Sequence, residues 1–241
     1  MLLRDYRLIR LAHVNDPATT SVFPGDPPFQ LTTVATVERD GFYLQYVQQG
    51  EHTGTHWGAP VHFHANEAAA DELDPEDLLL PAIKLDFRAQ SEAHADAAVT
   101  VADLDAWVAR HGPMPREAAV ILWTGWESRW GTERFANADG DGGMHHPGFS
   151  VAAVEALLAR GVLGRRGALG TDTFSPDVGT DATYAVSKLL YREHRISLEV
   201  LANLDALPAQ GAYVLAGGPI HRRGSGATAT VFAFVPRAKV D

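Results

Sequence analysis

The stretch "GEHTGTHWGAPVHFH", residues 50–64, holds four of the chain's eleven histidines: His52, His56, His62 and His64. On a helix the His52-x3-His56 spacing would put two imidazoles on one face, but Gly54, Thr55, Gly58 and Pro60 argue against a regular helix. In a flat strand, Cα atoms four residues apart lie about 13 Å from each other, a strain for two rings binding one metal ion. A bent segment resolves this, and the glycines permit the bend. His62 and His64 share parity, so an extended segment turns both to one side. The pattern predicts several imidazoles aimed into one cavity, as a nitrogen-ligand metal site or as a group of acid–base residues. The bland alternative is a histidine-rich hairpin end held by backbone hydrogen bonds.

The rest of the chain bounds the chemistry. With no cysteine among 241 residues, disulfides, thiolate nucleophiles and Cys-bound zinc are excluded. A metal would have to be held by nitrogen and oxygen. The formal charge of −10 argues against general nucleic-acid binding. The opening "MLLRDYRLIRLAHVND" is interrupted by arginines where a signal peptide needs an apolar run, and no segment approaches the ~20 apolar residues of a membrane span. The expectation is a cytoplasmic protein with no membrane partner, acting on a small molecule. An apolar fraction of 46% supports one substantial core, and no composition break marks a linker, so 1–241 reads as a single domain.

Outward from the histidines, "FQLTTVATVE" (29–38) and "FYLQYVQQG" (42–50) read as a hairpin around "RDG" (39–41), leading directly into the cluster. "PAIKLDF" (81–87), "AAVILWTGW" (118–126) and "RGALGTD" (166–172) read as buried strands. "TVADLDAWVARHG" (100–112) reads as a helix capped by Thr100 with Asp103 and stopped by Gly112. "SVAAVEALLARG" (150–161) reads as a second helix, from Ser150 to Gly161. "SLEVLANLDAL" (197–207) reads as a short helix or irregular segment. "GAYVLAGGPI" and "TATVFAFVP" close the chain as two strands, with "GGPIHRRGSGA" (217–227) as the turn between them. Interspersed strands and helices over one core give a mixed α/β domain without the regular beat of a barrel. The long loops 127–149 and 173–182 are expected to have a functional role.

With these residues in place, the chain resembles the cyclase family of metal-dependent hydrolases, which includes bacterial kynurenine formamidase and isatin hydrolase. The family's hallmark, His-x-Gly-Thr-His-x-Asp-x-Pro-x-His, stands here as "HTGTHWGAPVH", His52 to His62. Further support comes from "FPGDPPF" (23–29), "DELDPEDL" (71–78), "TGWESRWG" (124–131), "HPGFS" (146–150), "GTDTFSPD" (170–177) and "LEVLANLDALP" (198–208), so the resemblance spans roughly residues 20 to 236. It implies an α/β, single-domain swivelling β/β/α fold of the kynurenine formamidase type, homodimers or higher homo-oligomers, and divalent metal chemistry at an amide-like C–N bond. Carried over by position, His52, His56, His62 and Glu199 are the metal ligands that match. Gly58 stands where the family has a bridging Asp, and Ser187 where a later histidine is aligned.

These departures bear on mechanism. Without the bridging carboxylate, two divalent ions would repel across neutral imidazoles and one glutamate, so a two-metal clamp is not expected. One divalent metal, zinc or manganese, is. His62, Glu199 and His64 are the catalytic candidates, His62 and Glu199 being also candidate ligands, with His64 alternatively a surface residue. A metal-free cluster promoting ring closure or isomerisation by proton transfer is the alternative, and a non-catalytic ligand-binding relative is a third reading. Trp57, Phe23, Phe42 and His146 are candidates to line the substrate pocket, Trp57 alternatively packing in the core. "NADGDGGMHHPG" (137–148) reads as a lid or inter-subunit loop. Asp172 and Asp177 either touch the site or cap turns. No Gly-x-Ser-x-Gly elbow supports a serine hydrolase.

Overall fold

The computed structural model describes residues 3–237; the first two and last four residues of the expected 1–241 domain lie outside it. The chain enters through β1 (Tyr6–Arg10) and reaches a hairpin of β2 (Gln30–Ala35) and β3 (Leu44–Gln48), joined by the single turn α1 (Val37–Asp40). The histidine stretch follows as a turn and the short strand β4 (His56–Gly58). Then come β5 (Leu79–Asp86), α2 (Arg88–Ala93), β6 (Ala98–Val99), α3 (Val101–His111), β7 (Ala119–Trp123), β8 (Gly148–Phe149) and α4 (Val151–Ala159). The last third holds β9 (Ala168–Thr171), α5 (Ala185–Leu190), β10 (Ile196–Glu199), β11 (Ala212–Ala216), β12 (Gly226–Thr228) and β13 (Val231–Pro236).

Nine strands form one sheet in the order β1-β13-β11-β5-β7-β9-β10-β4-β12. Its centre, β5-β7-β9-β10, is parallel, and both flanks are antiparallel. The centre is buried on both faces, which is why β7 reads as the unbroken apolar run Ala119–Trp123 rather than an alternation. One face carries Val120, Leu122 and Leu169 against Leu104 and Trp107 of α3 and Val154 and Leu157 of α4. The other carries Ile121, Ile196 and Leu198 against Trp57, Leu11, Val214 and Val231.

The expected helices form where their caps place them. Thr100 accepts from the Asp103 backbone N–H, and the Asp103 carboxylate accepts from the Thr100 N–H. Ser150 does the same service for Ala153. Two expectations are corrected. Residues 196–199 are a strand, followed only later by a 3-10 turn at Leu204–Ala206, because Ile196 and Leu198 alternate into the core and both edges find partners in β9 and β4. Residues 226–228 of the expected turn are β12, which closes the sheet edge beside β4. Among the described residues no helix is long and apolar enough to cross a membrane.

Candidate active site

The site forms where β4 lies between β10 and β12. Register sets His56 opposite Glu199 and Thr228, and Gly58 opposite Ser197 and Gly226. Strand alternation therefore turns His56 and Glu199 to one side of the sheet and sends Trp57 and Leu198 to the other. Glu199 is also the last residue of a parallel strand, the end at which open α/β sheets place their sites. The strand stops there because Val200, β-branched at φ 56, turns the chain. The bend expected before β4 is present: Gly54 sits at φ 62, and a Cβ there would lie 2.2 Å from Asn15 Oδ1. That turn brings His52 back over the strand, so its ring lies 4.9 Å from that of His56 and stacks on His62 at 4.1 Å.

His52, His56, His62 and Glu199 line one cavity of about 310 Å³, with Phe23, Asp26, Phe63, Phe174, Ser175, Tyr184 and Ser187 completing the wall. The His52 and His56 rings are each fixed by a hydrogen bond. His56 Nδ1 donates to Gly54 O at 2.8 Å, which leaves Nε2 as the lone-pair nitrogen of the neutral ring. Ser225 Oγ gives its only proton to Glu51 at 2.9 Å, so His52 Nε2 donates to Ser225 Oγ at 2.9 Å and Nδ1 keeps the lone pair. Burial, with His56 and His62 beside it, pushes His52 down to about 2, so it is neutral. Burial would lower His56 as well, yet the Glu199 charge raises it; burial would raise Glu199, yet the His56 charge and the Ser197 hydroxyl lower it.

The decisive contact is between His56 Nε2 and Glu199 Oε2, 3.2 Å apart and buried. It is not aligned as a hydrogen bond, and Nε2 has no other partner among the described residues. Two lone-pair atoms held this close require a positive charge between or upon them, either a proton or a cation. An imidazole that gives one N–H to a second residue and keeps the other nitrogen free is also the arrangement of a metal ligand. His56 and Glu199 thus fit two ligands of one divalent cation, while the donor atoms of His52 and His62 do not come within 4.8 Å of both. A second cation lacks a bridging carboxylate, because position 58 carries no side chain and the Ser187 hydroxyl is spent on Asp177 at 2.5 Å.

Among the described residues, donor atoms of three His, Asp or Glu residues come within 4.8 Å of one another only at Asp74, Asp77 and His194. Arg166 Nε lies 3.2 Å from Asp77 Oδ1 and Arg165 3.7 Å from it, so that group is a salt-bridge cluster already neutralised by cations of the chain.

The sequence of this chain matches the family model described as a putative cyclase over residues 9–178. It is 33% identical over 220 residues to the isatin hydrolase of Roseibium aggregatum, covering 88% of this chain and 83% of that protein. The belonging is plain. This chain is a member of the cyclase family. Among solved structures, an isatin hydrolase bound to the product analogue thioisatinate superposes with a TM-score of 0.88 at 29% identity, covering 97% of this chain and 94% of that one. Isatin hydrolase A from Ralstonia solanacearum gives 0.87 at 32%, covering 96% and 93%. The cyclase fold is thereby established for this chain as a mixed α/β unit with a curled sheet.

Within this cyclase-family cavity, the expected set is only partly assembled. His52, His56, His62 and Glu199 meet, and Phe23 joins them. Trp57 does not: it is fully buried on the far side of β4, in the core with Leu198 and Ala227. Phe42 does not either, being 56% exposed at the foot of the hairpin. His64 is turned away, donating from Nε2 to Lys188 O at 2.7 Å. The parity argument failed because Pro60–His62 is a 3-10 turn, in which residues two apart no longer share a side. His146 is buried in a neighbouring cavity of about 290 Å³ that shares Phe23, Ser175 and Tyr184 with the first. Asp177 caps α5, accepting from the Val186 and Ser187 backbone N–H groups, and Asp172 accepts from Thr124 and Glu127. Both are turn-holding acids.

Sequence reasoning missed Asp26, Phe63, Phe174 and Ser175, although each lies inside a quoted motif. Tyr184 left no such signal. It reaches the cavity from a left-handed backbone position, φ 53, before α5.

Proposed function

We propose that this chain hydrolyses a C–N bond, other than a peptide bond, in a small cyclic or aromatic amide-like substrate, using one divalent cation. The observation that carries this reading is the buried His56–Glu199 contact at 3.2 Å within a cavity walled by Phe23, Phe63, Phe174 and Tyr184. His52, His56 and Glu199 would hold the ion, with His62 as a further ligand or as the base; zinc and manganese both suit such donors. An ion bound there would polarise a carbonyl and lower the pKa of a water molecule.

The chain's own residues supply the rest. The aromatic wall takes a flat ring and excludes water from it. His62, at the mouth, moves a proton between the attacking water and the leaving nitrogen. Glu51, through Ser225, holds His52 in one tautomer. An isatin-like cyclic amide, the substrate class in the name of the relatives, matches a wall of this shape.

The test uses protein purified without a metal-affinity column. Isatin hydrolysis is expected to disappear with a chelator and return with one equivalent of zinc or manganese, and Glu199→Gln is expected to cost about 10³-fold in kcat/KM. Turnover that a chelator leaves untouched would refute it. The same contact supports a second reading, in which a proton rather than a cation joins His56 to Glu199 and the pair promotes ring closure or isomerisation. Chelator-resistant conversion of an isomerising substrate would favour it.

The assembly we propose is a homodimer or higher homo-oligomer. Its support is the hairpin, whose Val34, Val37, Phe42, Tyr43, Leu44, Tyr46 and Val47 are between 47% and 59% exposed. A cluster of exposed apolar side chains on one hairpin is the kind of surface that marks a protein–protein contact.

A further inference from the structure

Gly58 is demanded by a neighbour. A Cβ built on it would lie 2.1 Å from Tyr191 Oη, 2.9 Å from Ser197 Oγ and 3.1 Å from Tyr191 Cζ. The phenol oxygen therefore occupies the room that a side chain at position 58 would take. Tyr191 is fully buried just after α5, and its Oη donates to Ser197 Oγ at 2.7 Å. The Gly58 backbone N–H donates to the same oxygen at 3.2 Å. With both lone pairs of Ser197 Oγ engaged, its single proton is left for another acceptor. Glu199 lies two residues on and on the same side of β10, and the Ser197 hydroxyl helps to hold it below its ordinary carboxylate value.

We propose that Tyr191 is a positioning residue of this site: its hydroxyl stands in the room of the missing residue-58 side chain and, through Ser197, orients the Glu199 carboxylate toward His56. The inference rests on the reading of Glu199 as a cation ligand. An acid at position 58 would add a negative charge to the cavity floor; the phenol adds only a hydrogen-bond donor. It stays a donor at every working pH, since burial and then the Glu199 charge push it well above its ordinary value. Tyr191 itself does not line the cavity, so it acts on the reaction only through Ser197 and Glu199.

The experiment is a pair of double-variant cycles on the full chain. Tyr191→Phe keeps the ring and removes the 2.1 Å contact, leaving the 2.9 Å contact with Ser197 Oγ and the 3.1 Å contact with the ring. Gly58→Ala alone should lower Tm by roughly 5 °C through overpacking. In the Tyr191→Phe background the same change should cost less than half as much. Losses that simply add would overturn the spatial exchange. For the second cycle, zinc or manganese affinity is read by competition with a chromogenic chelator. Tyr191→Phe should weaken it about tenfold, the scale of lost support behind a ligand. Ser197→Ala should weaken it at least as much, and the double variant no more than Ser197→Ala alone. Unchanged affinity in Tyr191→Phe, or losses that multiply, would overturn the positioning role. A wild-type chain that takes up neither metal refutes the proposed function instead, and overturns the carboxylate half of this proposal with it; the Tm cycle then still decides the exchange at position 58.

Discussion

Trp57 and Phe42 lie fifteen residues apart in the sequence, one inside the histidine stretch and one just before it, and both looked like walls of a substrate pocket. Neither is, for opposite reasons. Trp57 sits on β4, a strand with neighbours on both edges and cover on both faces, so alternation drives it into the core at zero exposure. Phe42 sits beside the turn of a two-stranded hairpin that has no further strand on its outer edges and in which every residue of β3 is exposed. The contrast shows that an aromatic beside a motif takes its role from the strand pairing around it, which sequence distance does not report.

The comparison breaks most sharply under truncation. Trp57→Ala empties a fully buried site in the larger core and should cost about 3–5 kcal/mol of stability in urea unfolding. Phe42→Ala, on exposed surface, should change the stability of the isolated monomer by less than about 0.5 kcal/mol. Equal losses at the two positions would mean that Phe42 is covered within one chain after all.

The hairpin offers the next sharpest test. If its apolar faces are the contact between copies, Tyr43→Glu with Tyr46→Glu places two charges in that contact and should raise the dimer dissociation constant at least tenfold. Size-exclusion chromatography with light scattering reads this as a shift to monomer at micromolar concentration. A wild-type chain that is monomeric at the same concentration would sink the reading of the hairpin as a self-association surface.

What could be read in advance divides along the same line. Local rules worked where the deciding groups were close in sequence: Thr100 with Asp103, Ser150 with Ala153, and the glycine bend that returns His52 over His56. They failed where a distant strand decided the outcome. Residues 196–199 resembled a helix start because their partners, β9 and β4, lie far away in the chain. His64 was misplaced by a single 3-10 turn, which shifts which residues share a side. The pairing of Glu199 with His56 was available only through the resemblance to the cyclase family. The replacement of a residue-58 side chain by Tyr191, 133 positions later in the numbering, had no sequence signal at all.

Two adjacent histidines extend the contrast between covered and uncovered positions to pH. His145 lies at the surface: Nδ1 pairs with Asp96 at 2.8 Å and Nε2 with Asp139 at 3.3 Å, and these hydrogen bonds raise it above its ordinary value. His146 is buried, donates from Nδ1 to Pro147 O, and is lowered, chiefly by burial. The two signs are opposite. A raised imidazole binds its proton more tightly in the folded chain, so the stabilisation from His145 is complete below the unfolded value of ~6.5 and is lost as pH rises through the folded one. A lowered imidazole resists charging, so His146 costs stability as pH falls below ~6.5 toward its folded value. Amide exchange across 137–148, corrected for the intrinsic rate, should therefore show protection falling on the alkaline side of ~6.5 in the wild type. His145→Gln should remove that alkaline limb and leave the acid limb from His146 in place. An alkaline limb that survives the substitution would mean that the Asp96–His145–Asp139 contact does not hold the loop.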